Sequence, residues 1–289
     1  MNAFFSQRRR LLDVWYLRNS LVYLAMGLAL VYTLFPMLWM VFNSFKRRID
    51  IISIPVVYWP DQPTLNNYIE VFVNRGFFIQ LGNSLIIAIT VTTISLVFGT
   101  FAAYGLARFT YFANFKQHIS FWILSTRMIP PIVTLVPLYI LFSTVGLLNT
   151  KLSLIIAYTG FNLPFVVWMM KGYFSEIPHE MEESAMVDGD TRFGAMLRIA
   201  IPLAKPSIAA TAIFSFLLSW NEMLLALILS DTAASQTFPV ALGTRISQHQ
   251  IFWGEINAGG VVAILPVIIL AFIVQRHLVR GLSFGAIKG

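Results

Sequence analysis

The sequence predicts an all-α integral membrane protein with six transmembrane helices and both termini on the cytosolic side. Three observations carry this prediction. Of 289 residues, 57% are hydrophobic and only 11% are charged, with a mean hydropathy of +0.74, far more apolar than a soluble domain. The apolar residues gather in six runs, each near the ~20 residues a helix needs to cross the hydrocarbon. The twenty lysines and arginines are unequally shared, thirteen in segments that six spans place in the cytosol and six in outer segments, as expected where basic residues collect on the cytosolic side. The net charge of +7 therefore reads as topology rather than as affinity for nucleic acid. The chain has no cysteine, which excludes disulfides and thiol chemistry. Its histidines, His118, His179, His249 and His277, show no ligand spacing, so no metal site is expected.

Residues 1–19 form a basic cytosolic segment holding Arg8, Arg9, Arg10 and Arg18. The apolar run at about 21–45 is too long for a secretory signal, and no small-residue cleavage site comes after it, so it reads as an uncleaved first span. A six-helix transmembrane domain then extends over 20–276, with a cytosolic tail at 277–289. The outer loop at about 46–80 is rich in Pro and Asn and reads as irregular. Its Lys46-Arg47-Arg48 start is a local exception to the charge bias. Span 2 (about 82–107) ends in small residues that allow close helix approach. Span 3 (about 119–143) holds Arg127, Pro130, Pro131 and Pro137, so it is expected to be kinked and packed within protein. An arginine at that depth lines a pathway, sits in a structural ion pair or snorkels to the interface. Span 4 (about 153–174) carries Thr159 and Asn162 on one face, suited to substrate hydroxyls or to hydrogen bonds between helices. Span 5 (about 207–229) contains Trp220, Asn221 and Glu222, the last being the one carboxylate clearly inside a span. A polar outer loop at 231–256 and span 6 (about 257–275) complete the set.

The stretch 175–206 between spans 4 and 5 is a polar island. It holds Glu176, Glu180, Glu182, Glu183, Asp188 and Asp190, six of the thirteen carboxylates. Pro178 can open a helix, acidic residues in its first turns favour the dipole, and Gly189 is a natural stop. Asp190 or Thr191 can cap a second helix. In that second helix Phe193, Met196, Leu197 and Ala200 fall on one face, and Pro202 and Pro206 are expected to end it. The product is a helix-turn-helix with an apolar stripe that needs something to dock on.

Glu183-Ser184-Ala185, three residues, Gly189, nine residues and Ile199-Ala200-Ile201-Pro202 resemble the EAA loop of ABC-importer permeases, with Ser184 for the usual Ala and Ile201 for Leu. Other strings point the same way. Trp59, Pro60, Thr64, Asn67 and Tyr68 are similar to the first outer loop of sugar-importer permeases, and Ala102-Ala103-Tyr104 with Leu106-Ala107-Arg108-Phe109 is similar to the end of their second span. Trp220-Asn221-Glu222 and the ending from Gln275 to Gly289 resemble carbohydrate-importer permeases of the maltose-transporter G-subunit type.

The resemblance implies a type I ABC importer permease fold and a permease subunit that moves a carbohydrate or sugar derivative inward by ATP-driven alternating access. It places the chain in the bacterial inner membrane as a transport subunit rather than an enzyme, with no cofactor of its own. ATP and Mg belong to two separate ATPase subunits. A second permease subunit and an extracytoplasmic solute-binding protein complete the assembly, and no nucleic acid is involved. Residue by residue, it implies contact with the ATPase by Glu182, Glu183, Ala185, Asp188, Gly189 and Phe193, and by Ser283, Gly285 and Lys288 in the tail. Substrate-pathway candidates are Arg127, Thr159 and Asn162, read from their polarity within the spans, and Trp220, Asn221 and Glu222 of the string that carries the resemblance, which also implies binding-protein docking through Gln248, His249 and Gln250. The alternative is a stand-alone secondary transporter of a small polar solute, which needs no docking loop. A membrane enzyme requires a convergent set of acid, base or metal groups, and the spans offer only Arg127 and Glu222.

Overall fold

The computed structural model describes residues 2–109, 115–248 and 250–284, with side chains described over 19–109, 118–248 and 250–273. Five helices among these residues are long and apolar enough to cross a membrane, or six if one bent pair is counted as a broken span. The chain divides into two compact units, Met1–Asn74 with Ile251–Val261 and Arg75–Gln250 with Val262–Gly289.

The first unit is built on α1 (Asn2–Ser44), then α2 (Arg48–Ile51) and the short α3 (Asn66–Tyr68), which passes into a π-helical turn at Ile69–Asn74. The spanning part of α1, Asn19–Ser44, exposes its apolar side chains almost throughout. At its end Asn67 donates Nδ2 to the Ser44 carbonyl, the last of the helix, and to the Lys46 carbonyl just beyond it, both at 2.9 Å. Lys46, only 1% exposed, donates to Asn43 Oδ1 at 2.8 Å and lies 4.1 Å from the Trp39 ring centre. Arg47 pairs with Asp50 at 3.0 Å and donates to Gln62. The basic triplet that broke the charge bias is thus satisfied locally for two of its members.

In the second unit α4 (Phe78–Arg108) packs along α7 (Lys151–Glu176). Between them in sequence lie α5 (Phe115–Met128) and α6 (Pro131–Thr144), which bend by 89° at their junction. The expected kink in span 3 is therefore a full break. Pro130 and Pro131 have no N–H to leave unsatisfied, and Pro130 N-caps the new helix.

After α7 come α8 (Glu180–Val187), α9 (Arg192–Ala195), a π-helical turn at Met196–Ala200 and α10 (Ile201–Trp220). Pro202 and Pro206 were expected to end the second island helix, and they do not. The chain stays helical from Arg192 to Trp220. Pro202 falls in the first turn of α10, just after the π turn, where widened spacing removes the clash between the ring and a preceding carbonyl. Of the expected stripe, Met196 and Ala200 are buried, while Phe193 and Leu197 stay exposed.

Span 5 is correspondingly corrected. It starts inside the island and breaks after Trp220, resuming as α11 (Leu224–Leu229). The short α12 (Phe238–Gly243) is tied to α4, Ser84 accepting from the Phe238 N–H and Asn83 donating to the Ala233 and Gln236 carbonyls. The last helix, α13 (Trp253–Phe284), begins in the first unit and ends in the second.

Candidate functional site

The island folds as a hairpin of α8 and α9. Acidic residues Glu180, Glu182 and Glu183 occupy the first turn of α8, where the N-terminal dipole favours them. Gly189 ends the helix at φ +95°, and the N–H of Asp190 closes back on the Ala185 carbonyl at 3.0 Å. Thr191 caps α9 by accepting from the Gly194 N–H, so of the two cap candidates it is Thr191 that serves. Asp190 instead accepts from the Thr191 N–H and from Arg198 at 3.2 Å.

The hairpin is anchored by a buried cluster. Arg108, the last residue of α4, donates Nε to Glu182 Oε1 at 2.8 Å and Nη2 to the Ile177 carbonyl at 2.9 Å. Tyr104, one turn earlier, donates to Glu182 Oε2 at 2.6 Å. Both charged side chains of the pair are almost fully enclosed, at 4% and 6% exposed. Glu182, expected to touch an ATPase, therefore points into its own chain, where it holds α8 to α4. Glu183, Asp188 and Gly189 lie on the open side, and Ala185 is half-buried. Phe193 is 59% exposed with its ring stacked on Phe101 at 6.3 Å. Met181, Val187 and Leu197 of the same hairpin are also exposed. Arg108 and Tyr104 were missed as site residues. Their only sequence signal was a charge and a hydroxyl at the end of an apolar run.

The second feature is a cavity of about 170 Å³ in the second unit, lined by Arg127, Tyr158, Asn162 and Glu222 among others. Three of the expected substrate-contact residues meet there. Arg127 donates Nη1 to the Phe161 carbonyl at 3.2 Å, and its guanidinium lies 5.2 Å from the Phe165 ring centre. Glu222 accepts from the N–H groups of Leu225 at 2.9 Å and Ala226 at 3.3 Å, so it caps α11 across the break after Trp220. Asn162 is engaged between helices, accepting from Ser215 Oγ and donating to Ser219 Oγ, both at 3.1 Å. Of its two expected roles, the interhelical one is occupied.

The other three expected contacts lie elsewhere. Trp220 is 3% exposed, stacks on Phe216 at 5.6 Å and donates Nε1 to the Ala263 carbonyl, so no sugar face has access to its ring. Asn221 bonds back to the Leu217 carbonyl, and Thr159 is not among the lining residues. Tyr158, not singled out from the sequence, lines the cavity. In the outer loop, Ser247 accepts from the Gln250 N–H at 3.0 Å, with Gln248 exposed. His249, Gly285 and Lys288 lie outside the described residues, and Ser283 is described only as part of α13. Among the described residues no group of His, Cys, Asp and Glu is placed to hold a metal ion.

Comparison with known proteins gives a consistent set. The family model for the binding-protein-dependent transport system inner membrane component matches residues 95–284. The sulfoquinovosyl glycerol transport system permease protein SmoH of Agrobacterium fabrum is 34% identical over 94% of this chain and 94% of its own. The trehalose/maltose transport system permease protein MalG of Thermococcus litoralis is 31% identical over 94% of this chain and 98% of its own. Among solved structures, a bacterial ABC transporter involved in the import of the acidic polysaccharide alginate contains a chain that superposes with a TM-score of 0.73. That match covers 89% of this chain and 94% of the other at 21% identity, a likeness of fold.

Proposed function

The chain belongs to the binding-protein-dependent transport system inner membrane component family, and from that membership we propose that it is the membrane-spanning permease subunit of an ABC importer for a carbohydrate or sugar derivative. Its relatives are named for sulfoquinovosyl glycerol, trehalose, maltose and diacetylchitobiose, all sugars or sugar derivatives. The observation that carries the reading is the α8–α9 hairpin. It leaves exposed apolar side chains, Phe193 and Leu197 among them, together with the exposed acids Glu183 and Asp188, and is tied to α4 through Glu182.

In this reading the hairpin faces the cytosol, both termini lie there, and two ATPase subunits receive these exposed side chains. ATP and Mg act on those subunits. Phe193 supplies the apolar contact, Glu183 and Asp188 the charged ones, and Gly189 shapes the turn between them. Movement of the hairpin reaches the spans by two routes. The Arg108–Glu182 pair carries it to α4, and the unbroken helix from Arg192 to Trp220 carries it to the cavity. Alternation between inward- and outward-open states is then driven by the differential affinity of partners for the two states. A second permease subunit, a solute-binding protein docked at the outer loop through residues 248–250, and the tail residues Ser283, Gly285 and Lys288 against the ATPases complete the proposal.

The test is co-purification from the native membrane with its genomic neighbours co-expressed, and then an ATPase assay with sugar-loaded binding protein. We expect an ATPase subunit to co-purify and its hydrolysis to rise with one loaded binding protein. A chain that purifies without any ATPase overturns the reading.

A further inference from the structure

We propose that the cavity beside Arg127 receives the anionic substituent of an acidic carbohydrate, a carboxylate or sulfonate, with the Arg127 guanidinium as its partner. The proposal rests on the permease reading above and names the substrate class of that same chain.

Two helix interruptions converge on this cavity. One is the 89° break between α5 and α6, represented by Ile129 and Pro131 in the lining. The other is the break between α10 and α11, represented by Glu222 and Leu225. Non-helical backbone at membrane depth is tolerated where it is enclosed by protein or lines a water-filled cavity, and paired breaks of this kind mark solute sites in transporters. The space therefore has the backbone architecture of a binding site and not that of a packing fault.

Its charges are arranged asymmetrically. Glu222 has both oxygens taken by the N–H groups that open α11, so its charge is matched there by the helix start. Among the described residues the guanidinium of Arg127 has one hydrogen bond, to the Phe161 carbonyl, a ring beneath it, and no carboxylate partner. A guanidinium carries five N–H donors in a planar fork, so most of its capacity is unused. The Tyr158 hydroxyl, in a side chain 1% exposed, is a second buried polar group of the lining, near Glu222 but without a hydrogen bond of ordinary length. Arg127 is only partly buried, and within a membrane a cation with free donors is costly. A neutral hydroxyl offers it dipoles only. A carboxylate or sulfonate offers charge and two or more acceptors in the geometry the fork prefers, and the Tyr158 O–H can donate to the same group.

The experiment uses the assembled complex in proteoliposomes with its binding protein, in wild-type, Arg127→Gln and Arg127→Lys forms. Uptake is measured for glucuronic acid and a glucuronide, for a 6-sulfonated glucose glycoside, and for glucose and the matching neutral glycosides. The expected result is uptake of at least one acidic probe by the wild type. Arg127→Gln should reduce that uptake tenfold or more, and Arg127→Lys, which keeps the charge and loses the fork, should fall between them. The carboxylate and sulfonate arms identify which anion is carried. Uptake of neutral probes alone overturns the proposal, as does acidic uptake that Arg127→Gln leaves unchanged. Should the glutamine variant fail to assemble, lysine-variant uptake equal to wild type for acidic and neutral probes alike counts against it. The permease reading fails separately, through absence of a co-purified ATPase in the wild type.

Discussion

Gly189 shows how one residue sets the hairpin. Its φ of +95° lies where L-residues suffer Cβ crowding, at a cost of roughly 1–2 kcal/mol. A Cβ built there meets nothing within 4 Å, so the penalty for substitution is the backbone's alone. We expect Gly189→Val to assemble with the ATPase subunits but to transport several-fold less sugar per ATP hydrolysed. Gly189→Asn should retain more, since Asn tolerates the left-handed region. A ratio of transport to hydrolysis equal to wild type in the valine variant would remove the turn from the coupling path. This residue was legible in the sequence because a local conformational need selects glycine. Trp220 was not. A tryptophan beside two polar residues reads as a binding platform, and only its stacking on Phe216 and its bond to the Ala263 carbonyl reveal a packed ring.

Between elements, the attachment of α8 to α4 is the joint through which the hairpin holds the spans. Removing one member of a buried pair leaves the other uncompensated, at a cost of about 3–5 kcal/mol. Arg108→Ala is expected to lower the thermal midpoint of the purified complex and to leave ATP hydrolysis running with little transport. Glu182→Gln should be milder, because its amide oxygen still accepts from Tyr104 or Arg108. If both variants show wild-type melting and wild-type coupling, the joint is ornamental. The hairpin's helices were legible from capping and dipole signals. The continuity of α9 into α10 was not, since two prolines read as a stop, while the π turn just before Pro202 has no local signature and Pro206 sits within α10.

For the second unit taken whole, the close approach of α4 and α7 is the central packing. A Cβ on Gly99 lies 2.6 Å from Val166 Cγ1 and 2.9 Å from its Cβ, so the helices must part to admit even a methyl group. Gly99→Ala is expected to destabilise the unit by about 1–3 kcal/mol, as overpacking does. Gly82 lies on the same helix with nothing within 4 Å of a built Cβ, and Gly82→Ala should be neutral or slightly stabilising. Thermal unfolding in detergent distinguishes the two, and equal midpoints would show that the helices are not held this tightly.

The sequence by itself determined the membrane class, the approximate places of the long apolar helices and the helix-turn-helix. Each of these is encoded in hydropathy over ~20 residues or in local capping and turn chemistry. It also placed Arg127 and Glu222 as the charges that matter at depth. Only the tertiary structure decided where each polar group finds its partner. Glu182 turns inward to Arg108, and Glu222 closes a helix start. Arg127 is left facing a cavity. Pairings of this kind join residues far apart in the chain, as Arg108 and Glu182 are across α5, α6 and α7, and no local period or propensity encodes them.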